Sequence, residues 1–266
     1  MRMLWSLARI GLAVVVGVPL FVYLLQEKLL FYPQPLGKPL KVPNVEDVAI
    51  QAGDGVTLRG WMVKGHHPLP APLVIYFGGN AEEVSWLASV ADQFGGWSLL
   101  LVNYRGYGGS EGKPGERELF SDALAVYDYA VKRPDVMPGR VIAMGRSLGS
   151  GVATHLAANR SVTGVILVTP YDSVTDIAKQ LYPYLPVRLL IRHRFDSISR
   201  AAKIGTPLLC LAASDDEVIP VKHARRLYDA WAGPKTWREI AHTGHDSISG
   251  APEYWEAIAG FLGELR

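Results

Sequence analysis

Val141-Ile142-Ala143-Met144-Gly145-Arg146-Ser147-Leu148-Gly149-Ser150-Gly151-Val152-Ala153 joins an apolar run to a run of small residues, with Gly-x-Ser-x-Gly at the junction. The first part reads as a buried strand, and residues 148–158 read as a helix. A serine at so sharp a turn is held with strained backbone angles, and side chains on either side would collide with it, which is why glycines flank it. The new helix points its positive end at the spot where negative charge gathers when a hydroxyl attacks a carbonyl. Ser147 is therefore the candidate nucleophile, because the pentapeptide sits between a strand and a helix. The same letters recur in Gly108-Gly109-Ser110-Glu111-Gly112. There Lys113-Pro114-Gly115 follows and no helix can start, so Ser110 reads as a turn residue.

Outward from this junction, short apolar runs alternate with helical patterns. Residues 45–50 and 57–63, separated by Gly53-Asp54-Gly55, read as a hairpin. Further strands are expected at 73–77, 98–102, 141–144, 164–168, 207–212 and 236–240, with helices at 82–94, 116–133, 147–159, 221–231 and 252–265. Continuous apolar strands alternating with helices predict an α/β fold: a mostly parallel eight-stranded sheet with helices on both faces. Residues 171–200 break the alternation. They include Tyr182-Pro183-Tyr184-Leu185-Pro186, and they predict a short helical cap over the site.

Serine needs a base to remove its proton. On such a sheet the chain order is serine, acid, histidine, each on a loop after a strand. Of the seven histidines, His242 and His245 alone follow the last strand. His245, in Gly244-His245-Asp246, is the expected base, and His242 is read as a polar loop residue. The strand before it ends in Ser214-Asp215-Asp216-Glu217, where Asp216 is the expected acid and Asp215 the alternate. The acid fixes the imidazole tautomer and stabilises imidazolium. His242 and His245 with one aspartate also permit a metal reading, which two histidines support weakly and which leaves Ser147 unexplained. The strand at 73–77 ends in Gly78-Gly79-Asn80-Ala81. Backbone N–H groups of Asn80, or else Ala81, and of Leu148 are the expected oxyanion donors. Gly79, Arg146, Tyr171, Tyr182 and Tyr184 are the expected substrate contacts. No metal or organic cofactor is needed by this chemistry.

Composition bounds the rest. The chain has 266 residues, 49% hydrophobic and 20% charged, with a formal net charge of +2. That suits one large globular domain, and it excludes a nucleic-acid partner because no Lys/Arg-rich block is present. Arg192, His193 and Arg194, with Arg188 nearby, read as solvated surface. Cys210 is the one cysteine, so it forms no internal disulfide and reads as a buried core residue. Residues 10–25 carry no charge. With the mostly apolar residues before them they reach the roughly 20 residues that span a membrane core. Arg2 and Arg9 precede the run, so the N-terminus is expected to stay cytoplasmic with the rest of the chain on the far side. No small-residue cleavage site follows Leu25, which favours an uncleaved anchor over a signal peptide. The expected layout is an anchor at 1–28, a linker at 29–44 with Pro33, Pro35, Pro39 and Pro43, and a domain at 45–266 with its cap insertion at about 171–200. No motif specifies an oligomeric state.

These motifs together are similar to one family. Leu29-Leu30-Phe31-Tyr32-Pro33 after an anchor, Phe77-Gly78-Gly79-Asn80-Ala81, Asn103-Tyr104-Arg105-Gly106-Tyr107-Gly108-Gly109-Ser110-Glu111-Gly112, Gly145-Arg146-Ser147-Leu148-Gly149, Asp216-Glu217-Val218-Ile219-Pro220 and Gly244-His245 recur in order. The chain resembles the membrane-anchored α/β-hydrolases of the bud-emergence type, which include abhydrolase-domain proteins. The resemblance covers nearly the whole chain and implies Ser147, Asp216 and His245 as a triad. It departs at Gly78, where relatives often carry histidine. The triad chemistry itself predicts a serine hydrolase acting on a carboxylic ester or thioester, and the tether and aromatic cap suit a small-molecule or lipid-like acyl substrate. In a bacterial cell the site would face the periplasm from the inner membrane. The rivals are a peptidase on the same triad and an inactive, membrane-anchored binding protein.

Overall fold

The computed structural model describes residues 2–37 and 42–265, and the side chains of the same residues apart from 2–4 and 6–16. The strands are β1 Val45–Gln51, β2 Thr57–Val63, β3 Ala71–Phe77, β4 Ser98–Val102, β5 Val136–Arg146, β6 Gly164–Val168, β7 Leu208–Ala213 and β8 Lys235–Ile240. They form one eight-stranded sheet in the order β1-β2-β4-β3-β5-β6-β7-β8. β1 and β2 are antiparallel, β2 meets β4 antiparallel, and every pairing from β4 across to β8 is parallel.

Alternation along β3 explains the layers. Leu73, Ile75 and Phe77 enter one core, while Val74 and Tyr76 enter the other. Both faces of a parallel strand are buried, so every residue of β3 is apolar and inaccessible. The first core is covered by helices α2 Glu116–Ala130, α3 Leu148–Asn159 and α7 Val221–Ala230. The second is covered by helix α8 Pro252–Glu264 and a 3₁₀ segment Val84–Phe94. An α-helix was the expectation at 82–94. Val90, at φ −120° and ψ 20°, interrupts it, and β-branched Val84 and Val90 lose rotamer freedom in an α-turn.

The strand order reverses around β3, with β4 on one side and β5 on the other. Open α/β sheets bind ligands outside the carboxyl ends of the strands at such a reversal. Phe77 pairs with Gly145 there. The segment after β3 and the segment after β5 are therefore neighbours, though about seventy residues apart in sequence.

Helices α4 Val174–Leu181, α5 Val187–Leu190 and α6 Ile198–Ala201 make the cap. Its root is fixed to α7: His223 Nδ1 lies 2.8 Å from Asp172 Oδ1, its Nε2 lies 3.0 Å from Gln180 Oε1, and Arg226 forms an ion pair with the same aspartate.

Helix α1 runs Arg2–Leu30. Among the described residues no helix is long and apolar enough to cross a membrane. Side chains 10–16 of the apolar run lie outside the described residues, so the anchor expectation falls there in part. The expected linker is not free of the domain. Phe31 is buried against His193 and Phe195, with ring centroids 5.1 and 6.4 Å away. The Tyr32 N–H donates to Tyr107 Oη at 3.0 Å and Asn80 Oδ1 at 3.1 Å. Residues 38–41 of the linker are outside the described residues.

Candidate active site

Ser147 caps α3 at φ 51° and ψ −117°, a conformation that only strong surrounding packing imposes on a residue with a side chain. The packing is visible at the glycines. A Cβ on Gly145 would lie 2.1 Å from the Gly149 carbonyl oxygen, and one on Gly149 would lie 2.0 Å from that of Phe77. The Ser147 N–H donates to the Val168 carbonyl at 2.9 Å, pinning the elbow to β6.

His245 Nε2 lies 2.9 Å from Ser147 Oγ. Its Nδ1 lies 2.9 and 3.0 Å from the two Asp216 oxygens. Asp216 is held by the loop after β7, since its Oδ1 also accepts from the Val218 and Ile219 N–H groups at 2.9 and 2.7 Å. The His245 ring and Asp216 carboxylate are 6% and 3% exposed, so solvent screens their contact little. The chain thus brings together Ser147, His245 and Asp216. Asp215, the alternate acid, is exposed, and its backbone N–H donates to the Thr243 carbonyl at 2.9 Å. His242 is exposed at φ 57° in the turn before His245. Ser110 is a turn residue: its Oγ accepts from the Arg59 N–H at 2.8 Å and donates to the Asn103 carbonyl at 2.9 Å. Among the described residues no group of three His, Cys, Asp or Glu side chains is placed to hold a metal ion.

Asn80 and Leu148 follow β3 and Ser147, and among the described residues no acceptor occupies either amide N–H. Gly79 is different. Its N–H donates to Glu82 Oε2 at 2.6 Å. Glu82 is a buried hub with no counterpart in the sequence expectations. Its Oε1 accepts from the Tyr76 hydroxyl and Trp86 Nε1, both at 2.8 Å, and its Oε2 also meets Arg146 Nη1 at 3.2 Å. Burial, then the Glu82 charge, keeps the Tyr76 hydroxyl well above its usual pKa, so it stays a donor. Arg146 continues the brace to the histidine loop, donating to the Asp246 carboxylate at 2.5 Å and the His245 carbonyl at 3.2 Å. Arg146 is thereby engaged by protein groups, where a substrate contact was expected. Glu217, beside the acid, accepts from the His245 N–H at 3.3 Å.

A cavity of about 700 Å³ opens over Ser147 and His245. Gly79, Arg146, Tyr171 and Tyr182 line it, and α4, α5 and α1 add aliphatic side chains, Leu181, Leu190 and Leu29 among them. Tyr171 is a buried wall residue whose hydroxyl donates to the Leu148 carbonyl at 3.1 Å. Tyr184 does not line the cavity. It is 98% exposed, in the turn between α4 and α5. The contribution of α1, through Val22, Gln26, Leu29 and Leu30, was missed in the sequence, where the same residues read as anchor and linker.

A family model described as serine aminopeptidase, S33, matches residues 69–194. An uncharacterized protein of Mycobacterium tuberculosis is 34% identical, over 86% of this chain and 84% of its own. The alpha/beta hydrolase domain-containing protein WAV2 of Arabidopsis thaliana is 30% identical, over 95% of this chain and 92% of its own. Among solved structures, an acetyl xylan esterase from Paenibacillus sp. R4 superposes with a TM-score of 0.69 at 22% identity, over 86% of this chain and 87% of that one.

Proposed function

The chain belongs to the α/β-hydrolase superfamily, and from that premise we propose that it is a serine hydrolase cleaving carboxylic esters or thioesters through an acyl-enzyme. The observation that carries the reading is the unbroken contact Asp216–His245–Ser147 on a strained elbow. His245 takes the Ser147 proton as Oγ attacks the acyl carbon. The Asn80 and Leu148 amides receive the oxyanion, and His245 returns the proton to the departing alcohol or thiol. Water, deprotonated by the same imidazole, then frees the acid and restores Ser147. Asp216 accepts the hydrogen bond from His245 Nδ1–H throughout and stabilises the imidazolium.

The aliphatic lining favours an acyl group of apolar character. The uncharged run 10–25 supports a membrane tether, with Arg2 and Arg9 on the cytoplasmic side and the catalytic part on the opposite face. A second reading, a peptidase on the same residues, draws on the family model's description. An aminopeptidase needs an unspent carboxylate for the substrate ammonium group. Glu82 and Asp246, the carboxylates lining the cavity, are both engaged by Arg146.

The test is a fluorophosphonate probe against the full chain in detergent, followed by p-nitrophenyl esters and aminoacyl anilides. The wild type should label and cleave esters, and Ser147→Ala should do neither. Labelling that survives in Ser147→Ala removes the assignment, and anilide cleavage without ester cleavage selects the peptidase.

A further inference from the structure

The cavity has two walls of different origin. One is the cap, through Leu181, Tyr182, Leu185 and Leu190; the other is α1, through Val22, Gln26 and Leu29. The walls are clasped at one edge. Gln26 Nε2 donates to the Leu190 carbonyl at 3.1 Å, and Gln26 Oε1 accepts from the Arg192 N–H at 2.7 Å. Arg192 also reaches Glu27 at 2.9 Å and stacks 5.7 Å over the Tyr23 ring. The helix that reads as a tether is thus built into the site, and the cap cannot lie far from whatever holds that helix.

The outer surface around this clasp is apolar. On the cap, Leu181, Tyr182, Tyr184 and Leu189 are 62%, 50%, 98% and 84% exposed. On α1, Leu20, Phe21 and Leu24 are 53%, 64% and 65% exposed. Single exposed apolar residues are ordinary, but a cluster on a cap lip beside a helix with the same character needs an occupant. Charge and ring chemistry name one. Arg188 on the lip and Lys28 at the end of α1 are exposed, and among the described residues neither has an ion-pair partner. Tyrosines beside leucines, with exposed cations on the same two elements, match the head-group boundary of an anionic bilayer.

We propose that the cap lip, residues 181–189, is a second lipid contact seated in the bilayer that holds α1, so that the cavity takes acyl-ester lipids sideways from that leaflet. The proposal rests on the membrane tether of the proposed function. Leu181, Tyr184 and Leu189 enter the boundary between head groups and chains, while Arg188 and Lys28 meet anionic head groups. An acyl chain then slides between Val22 and Leu29 on one side and Leu181 and Leu185 on the other, and its ester reaches Ser147 without crossing water.

The experiment uses the full chain in vesicles of phosphatidylcholine and phosphatidylglycerol, with Tyr184→Cys carrying an environment-sensitive fluorophore. Cys210 is fully buried and does not compete for label. Glu256→Cys on α8 is the control, exposed and distant in sequence from the cap. Retention after an alkaline wash scores the tether, and quenching by nitroxide-bearing lipids scores the lip. The expected result is a retained protein whose label at 184 is quenched and whose label at 256 is not. Retention with equal quenching at both positions overturns the lip contact and leaves the tether standing. Loss on washing overturns both. Shielding at 184 that grows with protein concentration, in the absence of nitroxide, assigns the surface to a second copy and also overturns it. Leu189→Glu, outside the cavity lining, should lower turnover of a long-chain ester carried in vesicles roughly tenfold, as loss of one buried leucine implies. It should leave a short water-soluble ester unaffected. An equal fall on both substrates counts against the proposal.

Discussion

Replacing Glu82 by glutamine tests whether a buried charge braces the site. The Glu82 side chain is 8% exposed and receives four donors, two on each oxygen. Glutamine keeps one acceptor oxygen and turns the other into a donor. If the amide nitrogen replaces Oε2, it confronts the Gly79 N–H and the Arg146 guanidinium, neither of which can accept. If it replaces Oε1, the Tyr76 hydroxyl can rotate and accept, and only the Trp86 indole N–H is left without an acceptor. The second arrangement is therefore preferred. Trp86 is 36% exposed, so its orphaned N–H costs about 1 kcal/mol, the low end for an unsatisfied donor. Removing one partner of a buried ion pair costs about 3–5 kcal/mol; Arg146 keeps Asp246, which reduces that to about 2 kcal/mol. The sum is about 3 kcal/mol, read as a fall in the urea midpoint at unchanged slope. Ester turnover should fall by a smaller factor, since Gly79 keeps its acceptor in the preferred arrangement. A loss below about 1 kcal/mol refutes the reasoning, because a charged hub with four donors could not then be neutralised so cheaply.

Two further outcomes follow from other parts of the molecule. Gly149→Ala places a Cβ 2.0 Å from the Phe77 carbonyl oxygen and 2.6 Å from that of Gly78. The elbow and the loop after β3 must separate, so fluorophosphonate labelling should be lost even where circular dichroism remains native; normal labelling would count against the close approach. His155, stacked 4.0 Å from Phe120, is held by burial, then by the Arg200 and Arg160 charges, at a pKa lowered from 6.5 to about 4. The unfolded chain binds a proton there below pH 6.5 that the folded chain refuses down to about pH 4, so this residue lowers stability progressively as pH falls through that window. His155→Leu should flatten the pH dependence of the urea midpoint between pH 7 and 4.5, and an unchanged slope would show that another group is responsible.

The elbow was legible because its chemistry is local: strand, glycine, serine and helix lie within a dozen residues, and sterics allow few arrangements of them. The histidine and acid were legible through chain order, since a parallel sheet delivers loop after loop to one edge. Asp216 was the expected acid with Asp215 as alternate; what separates them physically is the register of a single turn, in which one carboxylate turns back onto two N–H groups and its neighbour faces water. Glu82 escaped notice because its partners come from β3, the following loop, the 3₁₀ segment and the elbow. An acidic residue after Gly-Gly-Asn-Ala reads as an ordinary first turn of a helix until those donors converge on it. Arg146 poses the opposite case: a cation inside the pentapeptide invites a substrate role, and the structure places it at the cavity while pairing it with Glu82 and Asp246. Within the expected linker Phe31 is buried, its apolar ring packed against the cap residues His193 and Phe195, which no local pattern announces.

Val22, Gln26 and Leu29 have a practical meaning for anyone preparing this protein in soluble form. Clipping off the first thirty residues looks harmless on a hydropathy plot, but it would strip away one side of the binding chamber and the bond from Gln26 that steadies the cap. Such a shortened enzyme could still react with small probes at its serine. Its preferences among chain lengths, however, would belong to an opened trough, and a screen run on it would rank substrates for a chamber with one wall missing.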